Sequence, residues 1–170
     1  ICEFFFFLFK SLIKSKEELR NLLLSEDYKD IVAINRSVIE SNTNSFKFFL
    51  EKVYCEVFEL KDFVFKNNHG KNFYKSAVCE SFPIVEIASN FLKERLTLDE
   101  LREFFKINSN IFQSAYCNED EKLVPYLANF IKNVFGIEKL REMLSGDSFS
   151  LYGALHHHIG YKVSVNFITL

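Results

Sequence analysis

A repeated unit of about 40 residues is the feature that most limits the folds open to this sequence. Four similar segments, EELRNLL, FELKDFV, DELREFF and EKLREML, follow one another along the chain. Their central leucines are spaced 41, 41 and 39 residues apart, at Leu19, Leu60, Leu101 and Leu140. Because a period of this length is typical of stacked helical repeats, the sequence predicts an all-α solenoid in which each unit buries its apolar face on its neighbours.

Two further markers recur in step with these leucines. Asn-Phe followed by an apolar residue recurs at separations of 39 and 37 residues, with its phenylalanine at Phe91, Phe130 and Phe167. A small residue followed by Ala recurs at separations of 38 and 39 residues, with the alanine at Ala77, Ala115 and Ala154. The predicted units span residues 27–66, 67–106 and 107–145, between partial units over 1–26 and 146–170.

Each unit is predicted to contain a short helix, a turn, a long helix and a second short helix. Apolar residues recur at helical spacing from Ile84 and again from Leu123, and the few glycines (five) and prolines (two) disfavour an all-β fold. The opening segment ICEFFFFLFKSLI follows the same rule, with a predicted buried stripe of Cys2, Phe5, Phe6, Phe9, Leu12 and Ile13. Ser15-x-x-Glu18 and Thr97-x-x-Glu100 predict capping boxes at the start of the leucine helices, and Gly136 occupies the matching place in the next unit.

The segment Gly70-Lys71-Asn72-Phe73-Tyr74-Lys75-Ser76-Ala77 resembles the ankyrin signature G-x-T-P-L-H-x-A and keeps its alanine. VEIASNFL and PYLANFIK resemble the second ankyrin helix. The stretch that leads into the ankyrin hairpin is missing, and the leucine helix in its place lengthens the unit from about 33 to about 40 residues. Ile34 and Ser37 are assigned to the Leu and Ala positions of the unit that fits least well. A HEAT-like or tetratricopeptide-like solenoid and a non-repeat helical bundle stay open as alternatives.

The ankyrin resemblance implies a non-catalytic scaffold that binds a protein partner through the residues before the first helix and its exposed side. These positions are Asn68, His69, Lys71, Lys75, Asn110, Gln113, Asp147 and Ser150. Exposed basic residues of the leucine-helix face, Lys93, Arg102 and Arg141, are the alternative surface. Without an initiating Met, the chain is interpreted as a fragment of a longer repeat protein. The second class of function is a regulatory or structural segment of a larger enzyme, channel or toxin.

Composition and motifs disfavour other classes of function. The net charge of -2 gives no overall attraction to nucleic acid, and the opening apolar run is shorter than the roughly 20 residues of a membrane span. The isolated glycines form no phosphate-binding loop. His156, His157 and His158 would point about 100° apart on a helix, which disfavours a metal site, and a Cys117 nucleophile has no supporting motif. We therefore expect no catalysis, cofactor, nucleic-acid partner or membrane insertion.

The four cysteines, Cys2, Cys55, Cys79 and Cys117, form no C-x-x-C pair. They are interpreted as buried small apolar side chains in a reducing, cytoplasmic setting, with a disulfide framework as the alternative. Cys79 and Cys117 occupy the same place in adjacent units, whose helices should pack about 8 to 10 Å apart. Because a disulfide needs Cα atoms within about 7 Å, we predict four free thiols.

Overall fold

The computed structural model describes residues 2–24, 33–65, 73–108, 110–116, 118 and 120–145. These residues are mostly helical and none of them lies in a strand, which confirms the predicted all-α class. The chain divides into two compact units, Ile1–Ala77 and Val78–Leu170. The finer division into repeats of about 40 residues stays a prediction.

The first compact unit contains short helices and one longer helical run. They are α1 (Cys2–Leu12), α2 (Lys16–Leu24), α3 (Ala33–Ile39), α4 (Thr43–Phe48), a π-helical segment (Phe49–Tyr54), α5 (Cys55–Val57) and α6 (Leu60–Val64). Helix α7 (Phe73–Glu80) begins in this unit and ends in the next. The run from α4 through α5 stands where the repeat predicts a long helix, but periodicity did not predict its π-helical segment. There the Cys55 thiol donates to the Leu50 carbonyl at 3.3 Å, five residues back.

Aromatic rings hold the first unit together. Helix α1 packs on α4, and the rings of Phe6 and Phe48 meet edge to face with centroids 5.9 Å apart. Helix α2 packs on α5, and the Arg20 guanidinium lies 5.5 Å from the centroid of the Phe58 ring. In the helical run on which α1 and α2 pack, Phe46, Leu50 and Val53 are fully buried and Tyr54 is buried.

Helix α3 ends in a left-handed turn at a residue that is not glycine. Ser41 has φ of 50°, and its amide donates to the Val38 carbonyl at 2.8 Å. The amide of Asn42 donates to the Ser37 carbonyl at 2.9 Å, which completes a Schellman motif. Asn42 Oδ1 then accepts from the Ser45 amide at 2.9 Å and caps α4. The turn therefore ends one helix and starts the next within two residues.

The second compact unit contains longer, regular helices. They are α8 (Phe82–Arg95), α9 (Leu98–Ile107), α10 (Ile111–Tyr116), α11 (Leu123–Phe135) and α12 (Ile137–Ser145). From α7 onward, a short helix, a long helix and a further helix follow in this order twice, as the sequence predicts. The repeat leucines Leu19, Leu101 and Leu140 are buried, and Leu60 is half-buried.

The core of the second unit is centred on Phe105, which is fully buried. Its ring lies 5.9 Å from the centroid of Phe130 and 5.7 Å from that of Phe135, so α9 packs on α11. Helices α8 and α11 meet where the rings of Phe82 and Tyr126 lie edge to face at 5.4 Å. The repeat marker Ala115 is also buried on α10, 1 % exposed.

The predicted capping boxes are present, one of them in altered form. At α9, the Thr97 amide donates to the Glu100 carboxylate at 2.9 Å and the Glu100 amide donates to the Thr97 hydroxyl at 3.3 Å. At α2, the Glu18 amide donates to the Ser15 hydroxyl, but the Glu18 carboxylate accepts from the Lys14 amide instead. Gly136 precedes α12 with φ of 88°, a backbone geometry that favours glycine.

Two side chains expected to be buried are exposed. Leu12 is 68 % exposed because it lies six residues after the buried Phe6, about 120° around the helix from it. Cys79 is an exposed free thiol, and it lies two residues after the buried Ala77, on nearly the opposite side of α7. Cys55 is a half-buried free thiol, whereas the side chains of Cys2 and Cys117 lie outside the described set.

Candidate functional site

The ankyrin-type binding positions are described only in part. Lys75 is half-buried on α7 in the first unit. In the second unit, Asn110 is half-buried just before α10 and Gln113 is exposed one helical turn later. The remaining positions lie outside the described residues, namely Asn68, His69, Lys71, Asp147 and Ser150; so do Cys117 and His156, His157 and His158. Within the second unit, Asn110 and Gln113 therefore lie together at the start of α10.

The alternative basic surface is exposed, as expected, and is partly neutralised by its own helices. Arg102 pairs with Asp99 at 2.8 Å and Arg141 pairs with Glu138 at 2.6 Å, each one turn back along the helix. Pairs of this kind between exposed side chains contribute less than about 1 kcal/mol. Lys93 is exposed on α8. This surface therefore has the mixed charge of a solvated helix face.

The first unit contains a cleft that sequence reasoning did not find. It has a volume of about 270 Å³ and lies between the end of α1, the start of α2 and the end of α5. Its lining residues are Lys10, Ile13, Lys14, Ser15, Lys16, Leu19, Glu56 and Val57. Leu19 and Val57 are buried, 7 % and 2 % exposed, and with the half-buried Ile13 they give the cleft an apolar floor.

Three lysines and one glutamate surround this apolar floor. Lys10 Nζ forms an ion pair with Glu56 Oε1, which links α1 to α5 across 46 residues of sequence. Within the described part of the chain, no carboxylate pairs with the ammonium group of Lys14 or Lys16. Because Lys10 and Glu56 neutralise each other, the lining carries an excess of two positive charges on a chain whose net charge is -2.

An apolar face on α1 is the second surface that sequence reasoning missed. Phe7 is 62 % exposed, Leu8 40 % and Leu12 68 %. With the exposed Ser11 they span about 140° of the helix circumference. The signal was present in the sequence, because the run EFFFFLF puts apolar residues on every side of α1 and a single core contact covers only one of them. We call Phe7, Leu8, Ser11 and Leu12 the α1 apolar face.

The groups with shifted pKa values are tyrosines of the two cores. Burial raises the pKa of Tyr116 to about 12. Burial also raises the pKa of Tyr54, against the opposite effect of a backbone hydrogen bond at Ile34. Both phenols are therefore neutral at physiological pH and take part in packing. Among the residues that the structure describes, no cluster of His, Cys, Asp and Glu side chains could hold a metal ion.

Comparison of the chain with family models, with curated proteins and with solved structures finds no match in any of the three. The longest described helix, α8, has 14 residues, and no helix in the described ranges is long and apolar enough to cross a membrane. In the described part of the first unit, the cleft and the α1 apolar face are the candidate binding surfaces.

Proposed function

We propose that this chain is a non-catalytic protein-interaction scaffold built of ankyrin-like helical repeats. The observation that carries the proposal is the α1 apolar face, on which Phe7 and Leu12 are each more than 60 % exposed. Contiguous exposed apolar side chains on a polar surface mark interaction sites, because leaving them in water costs free energy that a partner recovers by covering them.

In the repeat alignment, the exposed Leu12 of α1 corresponds to polar residues of the later long helices. Phe9 lies 10 residues before the repeat leucine Leu19, as Phe91 and Phe130 lie 10 residues before theirs, and Leu12 follows Phe9 by three residues. The residues three positions after Phe91 and Phe130 are Glu94 and Asn133, and both are exposed. At the outward position of the later long helices the chain thus has polar side chains, whereas α1 has leucine. The core does not require an apolar residue there, which supports a role in binding.

Support for the repeat itself comes from the second compact unit. The buried alanine and leucine markers, Ala115 on α10 and Leu101 on α9, lie in helices that follow the predicted order. The Asn118 side-chain amide donates to the Val78 carbonyl at 3.0 Å, which joins α7 to the segment after α10 across 40 residues. Stacked helical repeats present extended surfaces to protein partners, and this general property links the architecture to the proposed role.

The proposal is tested by crosslinking from the α1 apolar face. A photoreactive residue at Ser11 captures the partner in cells that produce the protein, and mass spectrometry identifies it. The purified partner is then titrated with wild type, with Phe7→Ser/Leu12→Asp and with Leu98→Ser/Ile107→Asp. The last variant is the matched control, because Leu98 and Ile107 are exposed apolar residues of the second unit, 45 % and 44 % exposed.

We expect the α1 variant to bind the partner at least tenfold more weakly than wild type, while the control variant binds as wild type does. Circular dichroism should show equal helix content for all three proteins, because the replaced side chains are exposed. Equal binding by the α1 variant, or the absence of any crosslinked protein, would contradict the proposal.

A further inference from the structure

The cleft of the first unit is lined by apolar and charged side chains. Its floor is apolar, with Leu19 and Val57 at the base, and its volume of about 270 Å³ lies just below the usual range for ligand pockets. A cleft of this size accepts one or two apolar side chains. An apolar floor with charged groups at its edge recognises a ligand that carries both properties.

The charge of the lining determines the sign of that ligand. Lys14 and Lys16 are exposed, and neither ammonium group has a carboxylate partner among the described residues. The nearest acidic groups on α2 are Glu17 and Glu18, both exposed, and the Glu18 carboxylate accepts from the Lys14 backbone amide at 3.2 Å. The two ammonium groups are therefore available to carboxylates of another molecule, in the manner of complementary charge at protein interfaces.

We propose that this cleft binds a short acidic segment of a partner protein. One or two apolar side chains of the segment lie on Leu19 and Val57, and flanking carboxylates pair with Lys14 and Lys16. The inference rests on the proposed function, because it assigns the chemistry of a bound partner segment, but it concerns a surface distinct from the α1 apolar face.

The test measures binding of defined peptides to the full chain by fluorescence anisotropy. The probe is a labelled octapeptide with two central leucines flanked on each side by three aspartates. Matched peptides replace all aspartates with asparagine, or both leucines with serine. The protein variants are Lys14→Glu/Lys16→Glu and the control Lys106→Glu/Lys132→Glu. The control makes the same change in net charge at exposed lysines of the second unit.

We expect the acidic leucine peptide to bind wild type and the control variant, and to bind Lys14→Glu/Lys16→Glu at least tenfold more weakly. The asparagine and serine peptides should each bind wild type at least tenfold more weakly than the parent peptide. Raising the salt concentration should weaken binding of the parent peptide, because its carboxylates pair with exposed lysines.

Three outcomes would overturn the inference. The first is no binding of the acidic leucine peptide, or equal binding by the Lys14→Glu/Lys16→Glu variant. The second is tighter binding of a single-stranded oligonucleotide that this variant abolishes, which would assign the lysines to phosphate groups. The third is self-association in sedimentation experiments that this variant abolishes, which would assign the cleft to a second copy of the chain. If partner binding through the α1 apolar face persists in any of these cases, only the cleft inference fails.

Discussion

Helices α1 and α11, one in each compact unit, are both strongly apolar, but they differ in how much of that surface is covered. On α11, Leu127 and Ile131 are fully buried and the outward Asn133 is polar. On α1, Phe6 is buried, yet Phe7 and Leu12 are exposed. Apolar content alone therefore does not identify the residues of the core. Where apolar residues exceed what one packing contact covers, the excess stays exposed to solvent.

Replacing one phenylalanine with alanine in each unit should give the largest difference in the free energy of unfolding between the two units. Phe105→Ala removes a fully buried ring between α9 and α11 and should lower the free energy of unfolding by about 3 to 5 kcal/mol. Phe7→Ala removes a ring that is 62 % exposed and should change it by no more than about 0.5 kcal/mol. Denaturant titrations followed by circular dichroism measure both. Similar losses in the two variants would mean that Phe7 belongs to a core.

Enlarging a small buried residue tests how tightly the second unit is packed. Ala115→Leu adds three heavy atoms at a position that is 1 % exposed on α10, and overpacking should cost about 1 to 3 kcal/mol. Gln113→Leu on the same helix is the control, because Gln113 is exposed and its replacement should be nearly neutral. Thermal melts that do not differ between the two variants would remove Ala115 from the packed interior.

The residues with positive φ, Gly136 in the second unit and Ser41 in the first, provide a third test. Gly136→Ala should lower the free energy of unfolding by about 1 to 3 kcal/mol, because φ of 88° with ψ of 169° is a conformation that side chains disfavour. An added Cβ would meet no heavy atom within 4 Å, so the loss would come from the backbone and not from a clash. Denaturant titration gives the value, and an unchanged midpoint would contradict the assigned geometry.

In the first unit, the reverse kind of substitution, from a residue with a side chain to glycine, should change the free energy of unfolding in the opposite direction and by a smaller amount. Ser41 has φ of 50° at the place where a Schellman motif usually has glycine. Ser41→Gly should relieve the strain and raise the free energy of unfolding by about 0.5 to 1 kcal/mol. A Ser41→Ala variant keeps the side-chain strain and is the control. Destabilisation by Ser41→Gly in denaturant titrations would show that the serine side chain contributes more than its backbone conformation costs.

Local interactions were the part of the structure most open to sequence reasoning. The capping box of Thr97 and Glu100 was predicted from four consecutive positions, because all its bonds lie within one helical turn. The equivalent box at Ser15 was predicted only in part, since the Glu18 carboxylate bonds to Lys14 one residue earlier. The cleft could not be predicted, because its ion pair joins Lys10 and Glu56 from distant parts of the chain.

Local sequence patterns predict helices and the residues that they offer for burial, since apolar spacing and capping act over a few residues. Which of those residues are covered depends on how the helices pack against one another. Phe6 and Leu12 belong to one predicted stripe, yet Phe6 packs against Phe48 and Leu12 is 68 % exposed. Burial requires a second element at a given position, and the arrangement of helices depends on contacts between residues far apart in sequence.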